Sequence, residues 1–290
     1  MPNRPQAGSY IGSVGRSNVG FMHVANGRRA GRPREARIAW RRGSVFEWSV
    51  IFRFSRPIVH AEVDAKFGLT LEGLMNHLQE SAIAHADSAG FGSERVRVEQ
   101  TAWLLHRAGM AVIRTPRLGE QLDTATWITS SAGSRARRSF EASVGGEAVA
   151  RASYVWVYFD AVRKMPRRID AAMNAEFKPE DGDPAVPGVE DMPRFEIANP
   201  SFEAEITMRY TDYDSNDHVN NSIYANFVQT LLHHRGEVRE VSRLGLCFQR
   251  EIGHGVRRVT GRLEDVEDGC RFTIESPGVV HAFGEVGLRG

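Results

Sequence analysis

The chain repeats itself, and an internal repeat restricts a fold more tightly than any single motif. Moved by 150 positions, "DAKFGLTLEGLMNHLQE" (Asp64 to Glu80) lies without a gap over "DSNDHVNNSIYANFVQT" (Asp214 to Thr230), matching Asp64 with Asp214, Asn76 with Asn226 and Gln79 with Gln229. Moved by 136, "RAGMAVIRTPRLG" meets "RLGLCFQREIGHG" and matches Arg107 with Arg243, Gly109 with Gly245, Arg114 with Arg250 and Gly119 with Gly255. Both matches run in the same order, so the chain reads as two copies of one plan.

Each copy spells the same elements. Leu71, Leu74, Met75, Leu78, Ala82, Ala86 and Ala89 recur at the three-or-four spacing of an amphipathic helix that stops near Gly90. Val219, Ile223, Phe227 and Leu231 predict a shorter helix with a similar apolar stripe. Such a stripe needs a sheet to cover. Strand candidates follow in the first copy ("WLLHRAGMAVIR", "QLDTATWITS", "RARRSFEASV", "VARASYVWVYFD") and in the second ("SRLGLCFQRE", "VRRVTGRLED", "CRFTIES", "VVHAFGEVGLR"). A helix followed by a run of strands, twice, is an α+β plan. The expected organisation is a first domain over 44–170, a surface linker over 171–195 marked by the proline-rich "FKPEDGDPAVPGVEDMP", and a second domain over 196–290.

Charge separates off the start of the chain. Residues 1–43 hold nine arginines against the single acid Glu35, a basic extension expected to be disordered. Removing those from the chain's 37 basic and 36 acidic residues leaves 28 and 35, a net of −7 for residues 44–290. That balance argues against a general nucleic-acid binder. No apolar run approaches the roughly 18 residues of a membrane span. Cys247 and Cys270 lack metal-ligand spacing, and two thiols suit a reducing compartment, so a cytoplasmic protein is expected, or a plastid one if the basic start is a transit peptide. Cys247, in an apolar strand pattern, reads as a small buried hydrophobe. His77 and His85 read as surface positions of the first helix, or as lining for a ligand.

The chemistry concentrates in "TDYDSNDHVNNSIYANF", Thr211 to Phe227. Asp, Asn and Ser suit a loop that hands over to a helix cap, so the cluster need not be an active site. The repeat supplies a comparison. Where the second copy has Asp214, Asn216, His218 and Glu251, the first has Asp64, Lys66, Gly68 and Thr115. Three of four chemical groups are missing, which argues for chemistry in the second copy and ligand binding in the first.

Together, "LMNHLQESAIAHADSAG", "AWLLHRAGMAVIRTPRLGEQLDTATW", "YVWVYFDAVRKMPRRI" and "RYTDYDSNDHVNNSIYANF" resemble the acyl-acyl carrier protein thioesterases of plants and bacteria, in colinear order from about residue 46 onward. The resemblance implies a tandem hotdog: two curved antiparallel sheets, each wrapped around a long helix. It implies hydrolysis of the thioester joining a fatty acyl chain to acyl carrier protein, with no metal and no organic cofactor. Carried over residue by residue, it makes Asp214, Asn216, His218 and Glu251 catalytic and gives Asn220, Asn221 and Tyr224 to substrate binding. Plant members of the family often carry Cys one residue after the Glu; here Ile252 excludes a thiol nucleophile at that position.

Either Glu251 or His218 could take the proton of an attacking water, with Asp214 orienting its neighbours and Asn216 and free N–H groups of the following helix holding the oxyanion. An acidic carrier would need a local basic patch, for which Arg167 and Arg168 in "VRKMPRR" and the cluster Arg135, Arg137 and Arg138 are candidates. Rival readings are an acyl-coenzyme A thioesterase and a catalytically silent acyl-thioester sensor. Since the repeat already pairs two copies in one chain, a monomer or a homodimer fits equally.

Overall fold

The computed structural model describes residues 51–179, 183–214 and 216–290, so the basic segment 1–43 lies outside the described residues. Each half opens with a strand, turns into a long helix and closes with antiparallel strands. The first contains β1 (Phe52–Pro57), α1 (Leu71–Ser88), a short α2 (Ser93–Glu99), β2 (Thr101–Val112), β3 (Gln121–Ala132), β4 (Arg135–Val144) and β5 (Glu147–Asp160). The two-residue β6 (Met165–Pro166) and the short α3 (Ala171–Phe177) follow. The second contains β7 (Phe202–Thr207), α4 (Asn221–His234), β8 (Glu240–Phe248), β9 (Arg258–Val266), β10 (Gly269–Ser276) and β11 (Val279–Arg289).

Strand order shows the duplication directly. It runs β1-β3-β4-β5-β2 and then β8-β11-β10-β9-β7, so the second half repeats the first in reverse across the β2–β8 seam. The two expected sheets are therefore edge-paired into one continuous sheet. Gly109 and Gly245, equivalent in the repeat, are also direct partners across that seam, which puts the pseudo-twofold between them.

Thr70 caps α1 by accepting from Gly73 N at 3.0 Å, and Asn220 caps α4 by accepting from Ser222 N at 3.0 Å. Leu74, Met75 and Leu78 of α1 and Ile223, Phe227 and Leu231 of α4 enter one core with the inward rows of the sheet. The helices also tie to each other: Leu71 N donates to Gln229 Oε1 at 2.7 Å, and Asn226 Nδ2 to Glu72 Oε2 at 2.6 Å.

β1 and β7 were not among the strands read from sequence. They are the two edges of the sheet, where one face is solvated and carries Arg53, Glu203 and Glu205, so neither presents a continuous apolar run. Nor is the segment 171–195 wholly a linker, since it starts with α3, whose Met173 and Phe177 are buried with Phe91 and Tyr158. Beyond the undescribed residues 180–182 the chain crosses the outer face of the sheet, where Val189 lies over Gly109 and Met192 over Gly245.

His77 corrects the surface reading. It is 0% exposed, with Nε2 3.3 Å from Glu62 Oε2, because its helix position faces the turn that precedes α1.

Candidate active site

The turn between β7 and α4 is built from its ends inward. Asp212, 1% exposed, accepts from Arg209 N at 2.7 Å and Arg209 Nε at 2.9 Å, while its own carbonyl accepts from Asn220 N at 2.9 Å. Within that clamp Asp214 N donates to His218 O at 2.9 Å, and Asp217 N to Asp214 O at 3.2 Å. Asp217 takes a left-handed conformation, φ 62°, a region that Asp tolerates better than most residues. The Asp214 carboxylate accepts from Asn216 N at 2.7 Å, closing an Asx turn.

His218 then pairs with Gly253, and Val219 N donates to Ile252 O at 2.9 Å. These backbone contacts bring the turn beside the exit of β8, and His218 Nδ1 lies 3.2 Å from Glu251 Oε2. The imidazole is 39% exposed and the carboxylate 65%, so both are open to a ligand. Beneath them Tyr224 is buried against Phe227 and Phe248. Burial, reinforced by the nearby charge of Glu251, raises its phenol above the usual range, so Tyr224 is a neutral group. Asn221 is the first residue of α4, and its backbone N–H is used by neither of the cap bonds, which go to Ser222 N and Ile223 N.

The first half shows which features are architecture. There Asp64 N donates to Gly68 O at 2.8 Å, Phe67 N to Asp64 O at 3.0 Å, Lys66 N to Asp64 Oδ1 at 2.8 Å and Leu69 N to Pro116 O at 2.7 Å. Phe67 repeats the left-handed φ at 61°. The same turn thus forms without any of the chemistry, and the Asp at its start is needed for the turn itself. What the second half adds is the imidazole at 218, where the first has Gly68, and the carboxylate at 251, where it has Thr115.

Several expectations change here. Asp214 holds Asn216, whose Nδ2 also lies 3.4 Å from Asp214 Oδ2; it makes no side-chain bond to His218. The helix start is less free than expected, because Asn220 occupies Ser222 N and Ile223 N. The basic cluster on β4 is not a patch: Arg137 pairs with Glu190, and Arg138 is buried with Nη1 3.0 Å from His85 Nδ1 and 3.2 Å from Thr126 Oγ1. Burial first, then the Arg138 charge, push His85 down to about 3. Arg167 is partly engaged, with Nη2 3.7 Å from Glu99 Oε2 and its guanidinium over the Tyr158 ring. Arg168 is exposed on an open groove of about 500 Å³ that Arg163, Met165 and Asp160 also line. This groove does not contain the His218–Glu251 pair.

Sequence reasoning overlooked the neighbours of that pair. His254 stacks on Tyr213 at 4.0 Å and lies 3.4 Å from Asp217 Oδ1, a contact for which a Gly-flanked turn gave no signal. Cys247 is buried, and burial raises its thiol above the ordinary value, so it packs as an apolar residue.

Two family models match in tandem, the acyl-ACP thioesterase N-terminal domain over residues 50–177 and the acyl-ACP thioesterase C-terminal domain over 196–281. The chain belongs to the acyl-ACP thioesterase family. A chloroplastic acyl-[acyl-carrier-protein] hydrolase of Cuphea viscosissima is 29% identical over 225 residues, 73% of this chain and 54% of the relative. A chloroplastic palmitoyl-acyl carrier protein thioesterase of Gossypium hirsutum is 29% identical over 226 residues, with the same shares. The chain thus spans about half the length of the curated relatives it matches. Among solved structures, the 12:0-ACP thioesterase from Umbellularia californica superimposes with a TM-score of 0.70 at 22% identity, covering 83% of this chain and 97% of that one. An acyl-ACP thioesterase from Bacteroides thetaiotaomicron gives 0.71 at 20%, covering 83% and 98%. At those identities the likeness is one of fold, and the fold of this acyl-ACP thioesterase family member is the tandem hotdog.

Proposed function

We propose that this chain hydrolyses the thioester of a fatty acyl group on acyl carrier protein, releasing the free acid. The observation that carries the reading is the 3.2 Å contact between His218 Nδ1 and Glu251 Oε2 in one half, on a backbone that the other half reproduces without either group. Glu251 accepts the Nδ1–H of His218, which fixes the tautomer and leaves Nε2 as the base. Water attacks the acyl carbon while passing a proton to Nε2, and the carbonyl electron pair moves onto oxygen. The N–H of Asn221 and the amide of Asn216 stabilise that oxyanion. Its collapse breaks the C–S bond, and the departing carrier thiolate recovers the proton from Nε2. Asp214 builds the turn that carries Asn216 and His218, and Tyr224 forms the apolar floor beneath the reacting carbonyl.

The acyl chain lies in the first half, whose helix and sheet enclose an apolar interior without the polar pair. The carrier docks through Arg163 and Arg168, with Arg167 partly held by Glu99. The seam supplies both hotdogs within one chain, so a monomer is sufficient for activity, in whichever compartment builds fatty acids, cytoplasm or plastid. Purified protein should release free acid from acyl carrier protein loaded with acyl groups of graded length. Equal or greater turnover on the matching coenzyme A thioesters would move the substrate to that carrier, and no release from either would remove the hydrolase reading.

A further inference from the structure

Glu251 is half of the pair on which the proposed chemistry depends, yet it leaves the sheet on a strand end that ought to fray. Beyond Phe248 the ladder stops, and something must hold residues 249–251 if the carboxylate is to meet His218. The next residue, Ile252, is anchored by full burial and by the bond from Val219 N. On the other side, Gln249 N and Arg250 N both donate to His281 O, at 2.8 and 3.2 Å. The His281 imidazole, 3% exposed, closes the clasp with Nδ1 3.2 Å from Arg250 O. A carbonyl can only accept, so Nδ1 carries the proton, and the neutral ring then accepts at Nε2 from Ser276 Oγ at 2.8 Å. Burial lowers the imidazole's affinity for a second proton, which favours that neutral form.

The first half again separates scaffold from function. Ile113 N and Arg114 N both donate to Val149 O, at 2.8 and 3.1 Å, the same forked bond at the same place. The strand-end geometry therefore needs no imidazole. Val149 stands where the second half has His281, and Val144 where it has Ser276, as the matching registers Val144 with Glu147 and Ser276 with Val279 require. The polar pair occurs only in the half that carries Glu251. Burying an imidazole where a valine would fold has a cost, and that cost has to be offset elsewhere.

We infer that His281 is a positioning residue for the reaction, held in its tautomer by Ser276 and fixing the backbone of Arg250 so that the Glu251 carboxylate stays on His218. This inference rests on the proposed role of Glu251. It assigns no substrate contact to His281 itself.

The test is a mutant cycle on the full chain. His281→Leu, which fills similar space without the donor, should lower kcat on acyl carrier protein substrate about tenfold with little change in KM. His281→Asn, whose side-chain N–H can take the place of Nδ1–H, should recover most of that loss. In a Glu251→Ala background, His281→Leu should change kcat less than about twofold, because a residue acting through the side chain at 251 then has nothing left to position. An equal loss in both backgrounds would overturn the inference in favour of general destabilisation, and an unchanged kcat for His281→Leu in the wild-type background would overturn it outright. If Glu251→Ala alone leaves kcat unchanged, the catalytic reading fails first and takes this one with it, a result distinct from the other two. Nitrogen NMR of labelled histidine supplies an activity-independent reading, with Nδ1 of His281 protonated at neutral pH; the opposite tautomer would refute the clasp.

Discussion

Gly109 and Gly245 face each other across the β2–β8 ladder that joins the two halves, and a Cβ on either would collide with the segment crossing above. At Gly109 it would fall 2.2 Å from Val189 Cγ2, and at Gly245 2.3 Å from Met192 Cε. The two glycines form a shallow trough, and the strap of residues 186–192 lies in it. Gly109→Val should therefore lift the strap or bend the seam, destabilising the fold by about 1–3 kcal/mol as overpacked sites do. Thermal melts would register this as a fall of several degrees, and limited proteolysis as faster cleavage within 183–192. A variant that melts like the wild type and resists cleavage equally would show that the strap is not seated there.

Stability should fall with acid in a window set by His85. Its folded pKa, about 3, lies below the ordinary histidine value because the ring is half-buried and faces the Arg138 charge. The unfolded chain therefore binds the extra proton first as pH drops. The neutral ring's contribution is complete above about pH 6.5 and is lost progressively as pH falls toward 3. Urea midpoints measured at pH 7 and pH 4.5 should differ more in the wild type than in His85→Gln, which cannot titrate. Equal differences would mean that other buried groups, such as His77, set the acid slope.

The sequence carried the architecture because repetition is a property of the chain: Asp64 with Asp214 and Arg107 with Arg243 mark the same turn and the same strand twice. Within the site it carried the residues but not their division of labour. Asp214 looked like a catalytic group, and only the Asx turn at Asp64 shows how much of its job is structural. His77 and Arg138 were misread because their partners, Glu62 and His85, belong to other elements, and a periodic stripe does not report a polar group buried at its edge. His281 was invisible for a related reason: it bonds to a backbone carbonyl 31 residues away, and a carbonyl has no signature in sequence.

Carrier docking should separate from chemistry. Arg163 and Arg168 line the open groove and Arg168 is exposed, whereas Arg167 is shared with Glu99 and the Tyr158 ring. Reversing both Arg163 and Arg168 to Glu should raise KM for acyl carrier protein substrates about tenfold or more, through slower encounter with an acidic partner. The loss should shrink as salt is added. A short acyl thioester without the protein should be turned over as before. Equal effects on both substrates would mean that the groove serves the fold and the carrier docks elsewhere.

The sharpest expectation concerns His218 and Glu251 as one unit. If the carboxylate acts by holding the imidazole, His218→Ala should lower kcat by about 10²–10⁴, the scale of losing a general base. Glu251→Gln keeps a hydrogen-bond acceptor but not the charge, so it should cost less, and combining the two should cost little more than His218→Ala alone, as residues acting together do. The alternative, in which Glu251 takes the proton from water directly, reverses the order: Glu251→Gln would then be the more damaging change. The ratio of the two single-variant rates, measured at saturating substrate, decides between them. Strict additivity would break the dyad altogether, because two groups 3.2 Å apart that contribute independently are not sharing a proton.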